Sequence, residues 1–317
     1  MHIFLTGGTG FFGKSLLRYW RSLDAGDLSV TVLSRDPARF REQNPSLVDG
    51  AAWLTFHRGD VTLAETLPMS GDFTHVIHAA TAVYDGPNRD LLEMHTDNVA
   101  GTRNVADLAA RVGARRLLFT SSGAVYGRSD ADTYAVTEDY RGAPDPLDPS
   151  SAYALSKIAG EQICALSAVR SGLEFVVARC FAFSGQDLPL DGNFAIGNFV
   201  RDALAGGPIV VNGDGTAVRS YLDQRDLAHW LMAILLQAPP GRAYNVGSDR
   251  GITIAELAST VARISGCAAG VTIMGEPDPA KSRSRYVPAI ERARRELGLD
   301  ITIELEDSIR HMLKNAA

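Results

Sequence analysis

The chain has 317 residues, 37 acidic against 31 basic, for a formal net charge of −6. No basic run offsets that balance, which excludes a general nucleic-acid binder and leaves any anionic substrate to be met by locally placed arginines. The length suits one large α/β unit or two intimate lobes. No apolar run approaches membrane-spanning length and the chain starts directly on a strand, so a soluble, cytoplasmic protein with no membrane partner is expected. Cys164, Cys180 and Cys267 lie far apart without metal-ligand spacing, predicting buried thiols in a reducing compartment and no metal site.

In chain order, the apolar run Ile3-Phe4-Leu5 predicts a first strand that turns into a helix through Thr6-Gly7-Gly8-Thr9-Gly10-Phe11-Phe12-Gly13. Gly7 permits a tight turn, Gly10 lets main-chain N–H groups approach phosphate oxygens, and Gly13 lets the helix pack on the sheet. The pattern is a dinucleotide pyrophosphate cradle with G-x-x-G-x-x-G spacing. Further short apolar runs, Val30 to Leu33, Trp53 to Phe56, His75 to Ala79, Arg116 to Thr120 and Phe175 to Ala178, alternate with helical patterns. That alternation predicts an α/β fold, a Rossmann-type doubly wound parallel sheet, with its ligand beyond the carboxyl ends of the strands.

The expected boundaries are 1–179 for the dinucleotide-binding domain, with a return segment near 223–247, and 180–317 mainly for a smaller C-terminal α/β substrate lobe. Helices are expected near Asn198 to Leu204, Asp226 to Gln237, Glu256 to Ser265 and Ala289 to Leu297. Arg128 to Ser150, polar and acidic, predicts a loop over the active site.

Two segments carry chemistry. Tyr153 and Lys157 stand four apart at the start of a predicted helix, where i, i+4 side chains share a face. Thr120-Ser121-Ser122-Gly123 clusters hydroxyls at the carboxyl end of a central strand. Bringing a phenol from ~10 to neutrality needs roughly 4 kcal/mol, and an ammonium about 5 Å away at an effective dielectric of ~20 supplies roughly 3 kcal/mol.

With these motifs, Gly59-Asp60-Val61, His78-Ala79-Ala80, Asn98-x-x-Gly101-Thr102-x-Asn104 and Arg219-Ser220-Tyr221, the chain resembles the extended short-chain dehydrogenases/reductases of the NAD-dependent epimerase/dehydratase group, which modify nucleotide sugars. The resemblance runs over nearly the whole length. It implies that Tyr153 is the general acid/base, that Lys157 binds the nicotinamide ribose and tunes the tyrosine, and that Ser122 hydrogen-bonds the reacting oxygen. It assigns Gly7, Gly10, Phe11, Phe12 and Gly13 to the pyrophosphate, Asp60 and Val61 to the adenine, and the small Ala79 and Ala80 to close backbone approach. A nucleoside diphosphate would meet Asn193, Arg219, Arg283 and Arg285. The helices near Thr102 to Arg111 and Tyr153 to Val169 resemble a dimerisation pair, implying a homodimer.

The cofactor is decided at the end of the second strand, where an acidic side chain would accept ribose hydroxyls and repel a 2′-phosphate. Here Ser34 holds that slot with Arg35 beside it, which favours NADP(H); a two-residue register slip would instead bring Asp36 to the ribose and select NAD(H). His78, in an apolar strand, reads as a satisfied structural histidine. Asn98 reads either as ordering a water or a bulged helix near the site, or as an interior polar anchor.

Two departures narrow the reaction. Gly123-Ala124 replaces the acidic pair with which the group's dehydratases eliminate water, and Arg179-Cys180-Phe181-Ala182-Phe183-Ser184-Gly185-Gln186 lacks the group's Asn and Pro. The expected activity is a 4-keto reductase of a nucleoside-diphosphate deoxysugar. The alternatives are a nucleotide-sugar 4-epimerase with tightly bound NAD, a reductase of non-sugar ketones, or a catalytically silent NADP sensor or scaffold.

Overall fold

A computed structural model of the chain describes residues 1–23, 26–83, 90–128, 134–278 and 284–316. In chain order its elements are β1 (His2–Thr6), α1 (Phe11–Ser22), β2 (Ser29–Ser34), α2 (Pro37–Gln43), the single turn α3 (Pro45–Val48), β3 (Leu54–Arg58), β4 (His75–His78), α4 (Leu91–Arg111), β5 (Arg116–Ser122), α5 (Ala152–Ser171) and β6 (Glu174–Cys180). They continue with β7 (Phe183–Ser184), α6 (Ala195–Leu204), β8 (Ile209–Val211), β9 (Val218–Arg219), β10 (Leu222–Asp223), α7 (Gln224–Gln237), β11 (Arg242–Val246), β12 (Ile252–Thr253), α8 (Ile254–Ser265), β13 (Val271–Ile273), β14 (Arg285–Tyr286), α9 (Glu291–Leu297) and α10 (Leu305–Ala316).

Two compact units form. The first comprises Met1–Gly127, Ala143–Arg179 and Ala228–Tyr244, the second Arg128–Gly142, Cys180–Leu227 and Asn245–Ala317.

The first unit is organised by a seven-stranded sheet in the order β11-β6-β5-β4-β1-β2-β3. The ladders joining β3, β2, β1, β4 and β5 are all parallel, as the alternating pattern predicts. The chain builds outward from β1 through β2 to β3 and then returns to β4 on the other side of β1. The strand order therefore reverses between β1 and β4, where such sheets bind ligands. Both faces of the sheet are covered, so its strands are apolar almost throughout; Ile3, Phe4, Leu5, Val30, Val32, Val76, Ile77 and Leu118 are fully buried. One face packs Val105, Leu108, Phe119 and Cys164 into a continuous cluster.

Helix starts are locally encoded. Asp36 caps α2, its Oδ1 accepting the Arg39 N–H at 3.1 Å, and Pro37 sits in the first turn where a missing N–H costs nothing. Asp90 caps α4 by accepting from the N–H groups of Leu92 and Glu93. The helix expected from Thr102 thus begins at Leu91.

The second unit holds three small sheets, β10-β7, β12-β9-β14 and β13-β8. Thr253 and Glu256 form a reciprocal capping box at α8. The Asp226 carboxylate accepts from the N–H groups of Thr302 and Ile303 at 3.0 and 3.1 Å, fixing the approach to α10. Within the stretch expected to be a loop, Val136 exchanges hydrogen bonds with Val287 and Ala289, and its carbonyl also accepts from Asn245. The N–H of Asn245 in turn goes to the buried Glu138. The Ala289 N–H is spent on Val136, so the helix expected from Ala289 starts at Glu291.

Candidate active site

The turn after β1 has the geometry of a phosphate cradle. Gly7 adopts φ 72°, and a Cβ there would lie 2.5 Å from the backbone of Ala79 and Ala80, the residues that follow β4. A Cβ at Gly13 would fall 2.2 Å from Gly8 Cα, so the first turn of α1 presses directly on the glycine loop. At Gly10 a Cβ would meet only Gly7 O at an ordinary 3.5 Å. The protein's own packing does not demand glycine at this position, and the position matches one at which a ligand's phosphate would. The start of α1 carries neither a capping side chain nor an acidic residue, which leaves its positive end suited to an anion. Gly7, Gly10, Phe11, Phe12, Gly13, Ala79 and Ala80 are thus gathered at the switch point of the sheet, and the donor set fits a dinucleotide.

A chain of hydrogen bonds stiffens this turn. Ala80 N–H donates to Thr6 Oγ1 at 3.2 Å; Thr6 Oγ1 lies 2.7 Å from His78 Nδ1, and His78 Nε2 lies 3.1 Å from Thr102 Oγ1. Thr102 spends its proton on Asn98 O at 2.7 Å. Its oxygen must therefore accept, so His78 carries its hydrogen on Nε2 and accepts from Thr6 at Nδ1. Complete burial, with the Lys157 charge nearby, pushes the His78 pKa down to about 3. His78 is a neutral structural link.

Ser122 ends β5, and Tyr153 and Lys157 lie in the first turns of α5, which packs on β5 and on the 3-10 turn Gly123–Tyr126. The helix comes close because residue 160 is glycine: a Cβ there would sit 2.4 Å from the Phe119 ring. Lys157 is buried; its Nζ donates to Thr120 O at 3.0 Å and stands 5.2 Å from the Phe119 ring centre and 5.7 Å from that of Tyr153. Ser122 Oγ accepts from the Ala124 N–H at 3.2 Å. No carboxylate occurs in Gly123–Tyr126.

Sequence reasoning offers Asn98 as a candidate anchor but misses Ser156, Glu161 and Arg179 as supports of this trio. Asn98 Oδ1 accepts from Ala82 N–H at 2.7 Å and Thr81 Oγ1 at 3.1 Å, while its Nδ2 donates to Ala82 O and Ser156 Oγ. Ser156 in turn donates to Tyr153 O at 2.7 Å. The polar-anchor reading of Asn98 is the one these bonds describe: one side chain ties the segment that follows β4 to the helix bearing Tyr153. Glu161 binds Arg179 through both carboxylate oxygens, at 2.9 and 2.7 Å, and accepts from Ser121 at 2.6 Å. Arg179 Nη1 donates to Tyr126 OH at 3.0 Å. Burial opposes its charge, but the Glu161 bonds outweigh that and hold Arg179 above its ordinary pKa. The signal available was Glu161 lying eight residues after Tyr153 on the face already occupied by Lys157.

At the end of β2, Ser34 is buried and pairs with Arg58 of β3. Asp36 lies two residues past the strand, occupied in capping α2, and Arg35 is exposed. Asp60 Oδ1 accepts from the N–H and hydroxyl of Thr62, both at 2.9 Å, shaping the turn through Val61, whose carbonyl accepts from Asn104.

In the second unit Asn193 is exposed just before α6. Arg219 donates to Ser284 O at 3.1 Å and to Ser284 Oγ at 3.2 Å. Arg285 pairs in register with Val218, and Tyr286 with Arg219. The two arginines are one step out of register, so their side chains leave the sheet on opposite faces, Arg285 lying over Tyr134 at 4.8 Å. Arg283 lies outside the described residues. Among the described residues no group of His, Cys, Asp and Glu could hold a metal, and no helix is long and apolar enough to cross a membrane.

Residues 3–247 match the NAD-dependent epimerase/dehydratase family. A dTDP-glucose 4,6-dehydratase of Streptomyces griseus is 28% identical over 97% of this chain and 92% of its own length. UDP-glucuronic acid decarboxylase 1 of Danio rerio is 30% identical over 97% of this chain and 70% of its own. The crystal structure of a Thermus thermophilus UDP-glucose 4-epimerase in complex with NAD superposes with a TM-score of 0.81 at 25% identity, covering 99% of this chain and 98% of that one.

Proposed function

The chain belongs to the NAD-dependent epimerase/dehydratase family, and from that premise we propose that it is an NADP(H)-dependent nucleotide-sugar oxidoreductase, a 4-keto reductase of a nucleoside-diphosphate deoxysugar. The observation that carries this reading is the end of β2. Ser34 stands where an acidic side chain would repel a 2′-phosphate, Asp36 is spent on a helix cap, and Arg35 is exposed with no hydrogen-bond or ion-pair partner among the described residues. A reductase exchanges its cofactor at every turnover, which suits the phosphorylated, reducing form. The absence of a carboxylate from Gly123–Tyr126 speaks against water elimination.

When bound, the nicotinamide supplies the hydride. Tyr153 gives a proton to the carbonyl oxygen under reduction and takes it back in reverse. Lys157 places its ammonium beside the phenol without leaving the Thr120 carbonyl, favouring the phenolate that forms as the proton departs. Ser122 orients the reacting oxygen. Glycines 7, 10 and 13 and the start of α1 hold the pyrophosphate, Asp60 and Val61 the adenine, and Asn193 and Arg219 the nucleoside diphosphate, while Arg285, on the opposite face of its strand from Arg219, takes no part in it. The same reading includes a homodimer through α4 and α5. A 4-epimerase is the second reading, favoured by the NAD-bound Thermus enzyme to which the chain is similar.

Purified protein separates the two. A reductase emerges largely free of cofactor and oxidises NADPH with nucleotide-linked 4-keto sugars, whereas an epimerase carries a nicotinamide absorbance through purification. Tyr153→Phe should keep cofactor affinity and lose at least about a hundredfold in turnover; near-normal turnover in that variant would remove Tyr153 from the chemistry.

A further inference from the structure

Arg58 closes β3 opposite Ser34 in a parallel ladder, and residues paired in this way project from the same face of the sheet. Phe56, two residues earlier on that face, lies under α2: the Phe40 ring is 5.8 Å away and the Arg41 guanidinium 4.9 Å. Arg58 therefore leaves the sheet on the face that Phe56 shares with α2, and Arg35 stands in the bend directly after its strand partner Ser34. Immediately after Arg58 the ladder is extended by one more bond, Gly59 N–H to Ser34 O at 3.0 Å, and the chain enters the Asp60-Val61 turn. Arg58 thus stands between the two segments assigned above to the adenosine end of the cofactor.

Arg35 and Arg58 are both exposed, and neither side chain makes a hydrogen bond, ion pair or ring contact with the described residues. The carboxylates closest in sequence are engaged, Asp36 by the Arg39 N–H and Asp60 by Thr62. Two exposed guanidinium groups, one in the bend after β2 and one at the end of its paired strand β3, match a dianionic phosphate monoester, whose oxygens suit planar forked donors.

We infer that Arg58 is the second arm of a 2′-phosphate receptor, acting with Arg35 to select NADP(H) over NAD(H). The inference rests on the NADP(H) reading above. It is tested by measuring the affinity of the full chain and of Arg58→Ala for NADP+, NAD+ and 2′,5′-ADP, with thermal melting to verify the fold. The expected result is about tenfold weaker binding of NADP+ and 2′,5′-ADP by the variant, with NAD+ changed less than about twofold. A native chain that binds NAD+ as tightly as NADP+ would overturn the cofactor reading and this inference together. A native preference for NADP+ that survives Arg58→Ala, or a variant that loses both dinucleotides equally, would overturn the role of Arg58 alone.

Discussion

A proton added to His78 has nowhere to go. Its Nδ1 already accepts from Thr6, its Nε2–H is already given to Thr102, and the ring is buried beside the Lys157 charge. With the folded-state pKa lowered to about 3, the unfolded chain takes up the proton first, near the ordinary histidine value of about 6.5. Stability from this group is therefore complete above about pH 6.5 and is lost progressively as pH falls toward 3. Between pH 7 and 5 the loss is about 2 kcal/mol. Urea titrations at the two pH values should show that difference in the native chain and a correspondingly shallower one in His78→Gln. Equal pH dependence in both would mean that the ring does not titrate as its surroundings dictate.

Among elements, the pairing of α5 with β6 depends on the Glu161–Arg179 pair, each side chain 18% exposed. Removing the acid leaves a largely buried guanidinium and an unanswered Ser121 hydroxyl, so Glu161→Ala should cost about 3 kcal/mol in denaturant unfolding. The double variant Glu161→Leu with Arg179→Met should recover most of that loss, because it removes the stranded charge; no recovery would place the cost in packing instead. This pair also marks the limit of what sequence discloses. The strands were legible because parallel strands covered on both faces are apolar runs. The first turns of α4 were not, since Glu93, His95, Thr96 and Asp97 offer no apolar stripe to read. Likewise the glycine turn and the Tyr153/Lys157 pair are contiguous motifs, whereas the contacts of Asn98 with Ser156 and of Glu161 with Arg179 join residues distant in the chain or on separate elements. Hydrogen bonds of that kind leave no periodicity behind. Arg285 shows the converse: adjacent in sequence to a basic patch, it is separated from Arg219 by one step of strand register.

For the whole molecule the outer face of the α4/α5 pair is the informative surface. Leu166 is 61% and Val169 89% exposed, three residues apart on α5 and so on one stripe, and Leu92 of α4 is 73% exposed. Asp107 of α4 pairs with Arg170 of α5 and, at 3.6 Å, with Arg103, which supplies charge beside that apolar stripe. A second copy of the chain related by a twofold axis would present the same stripe and the same charges, so one patch covers itself, as isologous dimers require. Burying the two α5 side chains in each of two copies is favourable by roughly 1.5 to 3 kcal/mol per side chain. The native chain is therefore expected to sediment as a dimer at micromolar concentration. Leu166→Asp combined with Val169→Asp should sediment as a folded monomer with a native circular dichroism spectrum, its melting temperature no longer rising with protein concentration, because neither side chain contributes to the interior. A monomeric native chain, or a double variant that still dimerises, would move the interface elsewhere on the molecule.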